Sequence, residues 1–308
     1  MRTRKNTLVL FSKVPEAGMV KTRLSVLKDG LLSPEDAADL YQCMLFDVVE
    51  TICWAMNDLE GESYCAISDA RRAAVERDAD PDVATADMVQ DEYELLISTV
   101  PEGNVEVMRK LFAANGPWPR RLKFTFDEGA SFDEHYDCSF QKAWDGGADC
   151  VLSMGADMPA LTKADVRAGF EALHRLDGVA GGGIVLAPDQ EMGVSTIGWT
   201  RDTDFNHAGV YYCQSGLTVL PAYIQKAREQ DLPALWLPPI PDVDTVADLQ
   251  HNITLVEALC YCADFDDIQP PRRTFAWLKE SGLDQVRVMP NDLHDPRAGI
   301  AGAEPEQA

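Results

Sequence analysis

Short apolar runs alternate with longer helical patterns along most of this chain. The runs predict buried strands, and they are TLVLF (7–11), RLKFTF (121–126), ADCVLSM (148–154), GGGIVLAP (181–188) and PALWLPP (233–239). Strands that alternate with helices are typical of an α/β fold, in which helices flank a mostly parallel central sheet. Only GGGIVLAP, which is followed closely by GVSTIGW (193–199), predicts an antiparallel pair.

A long helix is predicted from Ser33 onward, because a serine N-cap, a proline in the first turn and helically spaced apolar residues follow one another. We expect ESYCAIS (62–68) to form a second strand and GVYYC (209–213) a further short one. The acid-rich stretch of about 70–118 predicts an insertion or lid. Residues 1–263 would then form the main domain, and 264–308 a C-terminal extension that is partly disordered.

The charge balance excludes several classes of protein. The chain has 51 acidic and 27 basic residues, and its net charge of −24 repels nucleic acid and anionic membranes.

No apolar stretch reaches the length of about 18 residues that a transmembrane helix needs. The apolar run after the basic N-terminus is too short for a signal peptide. Of the eight cysteines, only the pair in CYC (260–262) has a spacing that could indicate a metal, and neither a CxxC nor a pair of histidines supports a zinc site. We therefore expect free thiols and a cytoplasmic protein.

The loop SKVPEAGMVKTRL (12–24) stands out because it concentrates cations directly after the first strand. Ligands of open α/β sheets bind beyond the carboxyl ends of the strands, where this loop is predicted to lie. Gly18 permits a close backbone approach, and Lys13, Lys21 and Arg23 match phosphate oxygens. The loop contains neither G-x-x-x-x-G-K-[ST] nor G-x-G-x-x-G. By residue chemistry alone, a nucleotide phosphate loop and an ordinary solvated loop are equal alternatives.

Two aspartates are candidate metal ligands. Asp157 falls just past an apolar strand in SMGADMPAL (153–161), and Asp244 precedes a helix in PDVDTVADL (241–249). Carboxylates in such places suit Mg²⁺ or Mn²⁺, which take oxygen ligands and nucleotide phosphates. The alternatives are a turn aspartate before proline and ordinary helix capping. Because the whole molecule repels an anionic nucleotide, we expect loop and carboxylates to converge on one pocket.

Three stretches taken together resemble one family. They are VLFSKVPEAGMVKTRLS (9–25), GADMPALT (155–162) and PDVDTVADL (241–249). The family comprises bacterial and archaeal nucleotide-diphospho-sugar transferases, or glycosyltransferases of the arsenosugar-biosynthesis type, which have a GT-A-like fold. The resemblance covers about residues 7–255, and its specific motif is K-x-P-x-x-G-x-V-K-T-R-L.

The resemblance implies a role for each matched position within a GT-A-like catalytic domain. Asp157 would be the catalytic metal carboxylate, and Asp244 would complete the metal site. The residues that would bind the nucleotide are Lys13, Gly18, Lys21, Thr22 and Arg23.

One segment departs from the family pattern. The family usually carries E-D-G-G-Y-Y-L-I-G, whereas this chain has QEMGVSTIG at 190–198. The segment should line the acceptor or sugar pocket, so the substrate can differ from the family's. Glu191 is our candidate for the carboxylate that deprotonates an acceptor hydroxyl; a solvated turn acid is the alternative.

Three functions are compatible with these residues. The first is a metal-dependent glycosyltransferase that uses a nucleotide-diphospho-sugar donor and a small-molecule acceptor. The second is a nucleotidyltransferase that transfers NMP from an NTP to a phosphorylated small molecule. The third is an inactive nucleotide-binding module, which the altered QEMGVS segment favours. The first loop contains a single glycine, which favours the glycosyltransferase, because a loop that wraps a triphosphate should contain more glycines. No Ser-His-Asp or Cys-His arrangement indicates a nucleophilic hydrolase.

Overall fold

The computed structural model describes residues 1–212, 216–286 and 288. Within these residues seven strands form one sheet of order β3-β2-β1-β4-β6-β5-β7. The strands are β1 Arg2–Phe11, β2 Val89–Thr99, β3 Lys123–Phe126, β4 Cys150–Gly155, β5 Ile184–Pro188, β6 Val194–Thr200 and β7 Ala234–Trp236. Strand β6 runs antiparallel to β4 and β5, and the other pairings are parallel. The predicted mostly parallel sheet is confirmed.

Helices cover both faces of the sheet. They are α1 Pro34–Glu76, α2 Pro81–Ala84, α3 Asn104–Ala114, α4 Phe132–Asp145, α5 Lys163–Leu176, α6 Val219–Glu229, α7 Val246–Cys262 and α8 Arg272–Glu280. Serine or threonine caps several starts; Ser33 accepts a hydrogen bond from the Asp36 N–H at the start of α1. None of the helices in the described part of the chain is both long and apolar enough to cross a membrane.

Two hydrophobic layers hold the helices against the sheet. Side chains of a strand alternate between its faces. In β1, Leu8 and Leu10 accordingly join the core shared with α1, α3, α5 and α7, whereas Val9 faces α4 and α6. This sandwich leaves the carboxyl ends of the parallel strands, and the loops that follow them, free to build a site.

The second strand lies elsewhere than the sequence predicted. ESYCAIS (62–68) continues α1, and its only buried residue is Ile67, in helical register with Leu59 and Ala74. Ile67 is an isolated apolar residue on an otherwise solvated helix face, and the sequence around it resembles that of a short strand. The true second strand is β2, which pairs with β1 over ten residues.

Residues 70–118 are therefore not excluded from the sheet, because they contain β2 and α3. The C-terminal helix α8 packs on α1 through the buried Leu278. The domain boundary at 263 stays a prediction, and the predicted disorder of the tail falls mainly outside the described residues.

The predicted strand at 209–213 is also wrong over its described residues. Gly209 and Tyr212 have φ values of +78° and +53°, which a strand cannot contain. Asp133 at the start of α4 accepts hydrogen bonds from the N–H groups of Gly209 and Tyr211, both at 2.8 Å. These bonds hold the segment as turns.

Candidate functional site

The loop of residues 12–24 leaves the carboxyl end of β1 and folds back onto the core. The Lys13 N–H donates to the Tyr41 hydroxyl of α1 at 3.0 Å. Gly18 has a φ of +77°, which lets the chain reverse direction. Val20 and Leu24 are buried and anchor the second half of the loop. Lys21 and Arg23 lie between these anchors.

Lys21 lies at the centre of the site. Its side chain is only 7% exposed, and its ammonium group contacts the carboxylates of both Asp157 and Asp244. The distance from Lys21 Nζ to Asp244 Oδ1 is 2.9 Å. Arg23 is 61% exposed and reaches the other oxygen of Asp244 at 3.3 Å. The predicted convergence of the loop and the two aspartates is confirmed.

The two aspartates are placed by neighbouring elements. Asp157 follows β4, and its carbonyl oxygen accepts a hydrogen bond from the Val243 N–H at 3.0 Å, which joins the two loops. Asp244 precedes α7, where Thr245 and Asp248 form a capping box. The Asp244 N–H donates to Asp248 Oδ2 at 3.2 Å. Thr245 and Asp248 therefore cap the helix together, and the side chain of Asp244 points to Lys21 of the loop instead.

The pairing changes the proton affinities of the site. Burial acts to lower the pKa of Lys21, but the carboxylates of Asp157 and Asp244 outweigh it and raise the pKa. Burial acts to raise the pKa of Asp244, but Lys21 and Arg23 hold it below its ordinary value. The ammonium and the Asp244 carboxylate are therefore both charged at neutral pH.

Sequence reasoning missed a second group of side chains beside this pair. Gln190 Nε2, in the turn between β5 and β6, donates to Asp242 Oδ1 at 2.7 Å and to Asp248 Oδ1 at 2.8 Å. Burial, with the nearby charges of Asp157 and Asp244, raises the pKa of Asp242 to about 7. The sequence carries a signal for Asp242, because PDVD (241–244) contains two aspartates, but only Asp244 is predicted from it.

The other predicted residues lie around this centre. Lys13 is exposed, and Thr22 is half-buried in the turn before Leu24. Glu191 is exposed in the β5–β6 turn, where its N–H donates to Asp189 Oδ1 at 2.7 Å. Within the same turn, the side chain of Gln190 bonds to the carboxylates of Asp242 and Asp248. The roles assigned to these residues stay predictions.

The carboxylates suit a hard cation in their chemistry. Asp157 Oδ2 and Asp244 Oδ1 converge on one position, which the Lys21 ammonium holds. Among the described residues no three or more His, Cys, Asp and Glu side chains are arranged to hold a metal ion. A cation at the two aspartates would need further ligands from water or phosphate, as Mg²⁺ commonly does. The two aspartates alone would supply only part of such a donor set.

An aromatic wall and a polar cluster lie on the same edge of the sheet. Phe11, at the end of β1, stacks on Tyr136 of α4 with ring centroids 3.9 Å apart. Beyond β2 and β3, Asp127 accepts a hydrogen bond from Ser98 at 2.6 Å and contacts His135 Nδ1 at 2.7 Å. No motif marked these residues in advance.

Comparison with solved structures defines the class of fold. A crystal structure from Desulfovibrio desulfuricans G20, named "putative nucleotide-diphospho-sugar transferase", superposes with a TM-score of 0.64. It is 24% identical, and the match covers 92% of this chain and 99% of that one. The chain therefore has the GT-A-like nucleotide-diphospho-sugar transferase fold, and the resemblance inferred from its motifs is confirmed at the level of the fold.

The match to a sequence family is shorter. Residues 88–212 match the family described as "Uncharacterized protein conserved in bacteria (DUF2064)". No curated protein matches the chain. A CMP:2-keto-3-deoxy-manno-octonic acid synthetase complexed with CTP matches with a TM-score of 0.43 and 11% identity, over 82% of this chain and 99% of that one. A 4-diphosphocytidyl-2C-methyl-D-erythritol synthase from Anaerococcus prevotii DSM 20548 matches with a TM-score of 0.40 and 11% sequence identity. That match covers 84% of this chain and 96% of the other.

Proposed function

We propose that this protein is a metal-dependent glycosyltransferase that takes a nucleotide-diphospho-sugar donor and a small-molecule acceptor. The observation that carries the proposal is the ion cluster of Lys21, Arg23, Asp157 and Asp244 at the carboxyl edge of the sheet. It combines cations for a diphosphate with carboxylates for a divalent ion. In a molecule of net charge −24, such a local arrangement is what an anionic donor requires.

Each residue of the cluster has a chemical task in this proposal. Arg23 and Lys13, which are exposed, and Lys21 would bind diphosphate oxygens, with Gly18 and Thr22 shaping the loop around them. Asp157 and Asp244 would hold Mg²⁺ or Mn²⁺, which neutralises charge on the leaving diphosphate. Glu191, in the exposed β5–β6 turn, would accept the proton of an acceptor hydroxyl.

A thermal-shift panel tests the binding half of this proposal. The purified protein is heated with NTPs, nucleoside diphosphates and nucleotide sugars, each with Mn²⁺ or with EDTA. A ligand at about 100 times its Kd adds roughly 2.7 kcal/mol to the free energy of unfolding. We expect stabilisation by a nucleotide sugar or its diphosphate that EDTA abolishes. Stabilisation in EDTA would contradict the role of the metal.

A pair of arginine variants shows whether the loop is responsible. Arg23→Ala should weaken nucleotide binding about tenfold or more, because a charged hydrogen bond to phosphate contributes roughly 1.5–3 kcal/mol. Arg72→Ala, on the exposed face of α1 where Arg72 pairs with Asp69, removes the same charge and should leave nucleotide affinity unchanged. Equal affinity in both variants would return the loop to a solvated surface.

Product analysis separates the reaction classes. With the donor that binds, a glycosyltransferase releases a nucleoside diphosphate as the acceptor gains the sugar. Release of pyrophosphate from an NTP would instead assign a nucleotidyltransferase. Binding without turnover of any donor would favour the inactive module.

A further inference from the structure

We infer that Lys21 and a divalent cation exclude one another from the carboxylates of Asp157 and Asp244, so that metal and nucleotide bind this protein only together. The inference rests on the proposed function and deepens it, because it gives Lys21 two partners in succession. Without nucleotide, its ammonium pairs with both aspartates. With nucleotide, it moves to the diphosphate and leaves the aspartates to the cation.

The geometry of the cluster forces this exclusion. Asp157 Oδ2 and Asp244 Oδ1, the oxygens that face each other, both bond to the same nitrogen, Lys21 Nζ. The ammonium therefore occupies the position that these two oxygens would offer to a cation. A divalent cation within reach of both would lie against Lys21 Nζ, and two positive charges at such a distance repel strongly.

The burial of Lys21 helps to keep its ammonium in the position between the two carboxylates. Its side chain is 7% exposed, whereas those of Asp157 and Asp244 are 25% and 42% exposed. The ammonium is thus the inner member of the cluster, and the carboxylates face outward to solvent. Arg23, on the outer side of Asp244, adds a further positive charge against an incoming cation.

The backbone of Lys21 is held in place for this contact. Its φ is +45°, a left-handed conformation that a lysine adopts only when surrounding contacts hold it there. The buried side chains of Val20 and Leu24 fix the chain on both sides. An exchange of partners by Lys21 would therefore involve its side chain, while Val20 and Leu24 keep the loop on the core.

The exchange couples the two ligands. A diphosphate bound near Arg23 offers Lys21 new anionic oxygens, and the freed carboxylates then gain from a cation. By thermodynamic linkage, the factor by which nucleotide strengthens metal binding equals the factor by which metal strengthens nucleotide binding. Lys21 is in this sense a positioning residue for the cation, in addition to its contact with phosphate.

Metal binding without nucleotide provides the test, with Mn²⁺ alone as the probe and electron paramagnetic resonance of the free ion as the readout. We expect Lys21→Met to bind Mn²⁺ at least tenfold more tightly than the unmodified protein, although it removes a phosphate ligand. Lys28→Met, an exposed lysine just beyond the same loop, removes the same charge and should leave Mn²⁺ affinity within about twofold.

Two further variants keep the result interpretable. Lys21→Asn places a short neutral residue that tolerates positive φ, so it covers the case in which the methionine variant does not fold. Adding Asp157→Asn to either variant should abolish the gain, because it removes one of the two carboxylate charges that attract the cation. Thermal unfolding confirms that each variant is folded.

The outcomes distinguish this inference from the proposed function. If the nucleotide panel stabilises the unmodified protein with Mn²⁺, but folded Lys21 variants bind Mn²⁺ no more tightly, the exclusion by Lys21 is overturned and the transferase proposal stands. If Lys21 variants gain Mn²⁺ affinity while no nucleotide binds, the exclusion is supported and the donor proposal fails. A gain that survives Asp157→Asn would overturn the assignment of the site.

Discussion

The position of Asp157 depends on the absence of a side chain two residues earlier. A Cβ atom at Gly155, the last residue of β4, would lie 2.8 Å from Asp157 Oδ1. That is closer than nonbonded carbon and oxygen atoms approach. A glycine at this strand end thus lets the carboxylate fold back over its own strand toward Lys21.

We predict that Gly155→Ala weakens metal-dependent nucleotide binding about tenfold, or roughly 1.4 kcal/mol. The new methyl group pushes the Asp157 carboxylate, which is the movable end of a side chain, while the strand stays paired. Calorimetric titration of the nucleotide with Mn²⁺ measures the loss. Gly61→Ala is the matched control, because its Cβ would meet nothing within 4 Å. Unchanged binding in Gly155→Ala would show that the site tolerates a displaced Asp157.

Among the elements, the long helix α1 organises one face of the molecule. It packs on β2, α5 and α8, and its side chain Asp47 serves as the cap of another helix. The residue before α8 is Pro271, which offers no side-chain cap. Asp47, 3% exposed, accepts hydrogen bonds from the Arg273 N–H at 3.2 Å and the Thr274 N–H at 2.7 Å instead.

We predict that Asp47→Ala lowers the free energy of unfolding by about 3 kcal/mol, because it leaves the buried Thr274 N–H without this acceptor and removes one carboxylate partner of the Arg273 guanidinium. Asp47→Asn keeps one acceptor oxygen and should cost less. Asp39→Ala, an exposed aspartate of the same helix, should stay within about 0.5 kcal/mol of the unmodified protein. Urea unfolding measures all three. A loss in Asp39→Ala equal to that in Asp47→Ala would refute the capping role.

For the whole molecule, the excess of acidic residues is the dominant electrostatic property. The 51 acidic residues outnumber the 27 basic ones. Exposed ion pairs such as Arg72–Asp69 contribute at most about 1 kcal/mol each, and salt weakens them. The repulsion among the unpaired acids acts over longer distances, and salt weakens that repulsion as well.

Because the net repulsion is the larger effect, we predict that raising NaCl from about 0.01 to 0.15 M increases the melting temperature. Over this range the screening length falls from roughly 30 to 8 Å, well below the size of the molecule. Differential scanning calorimetry with choline chloride as a second salt tests whether screening, rather than a particular ion, is responsible. A melting temperature that falls with both salts would mean that ion pairs outweigh the repulsion.

Local sequence patterns predicted the secondary structure correctly wherever a segment's neighbours in sequence determine its structure. Apolar runs that end in Pro or Gly marked β1 and β4, and Ser33 with Pro34 marked the start of α1. The patterns failed where packing against segments distant in sequence decides between strand and helix. ESYCAIS and the strand β2 contain similar residues, but only β2 has a neighbouring strand and core contacts on both faces.

The candidate site divides in the same way. The sequence by itself determined which residues carry charge at the strand ends, because the loop 12–24 and the aspartates follow recognisable strands and motifs. Only the tertiary structure decided that Lys21 would be enclosed by Asp157 and Asp244, from which it is separated by 136 and 223 residues. It also decided that Gln190 would bridge Asp242 and Asp248. The physical reason is that the parallel order of the strands brings distant loops to one edge, where unlike charges pair as they leave water.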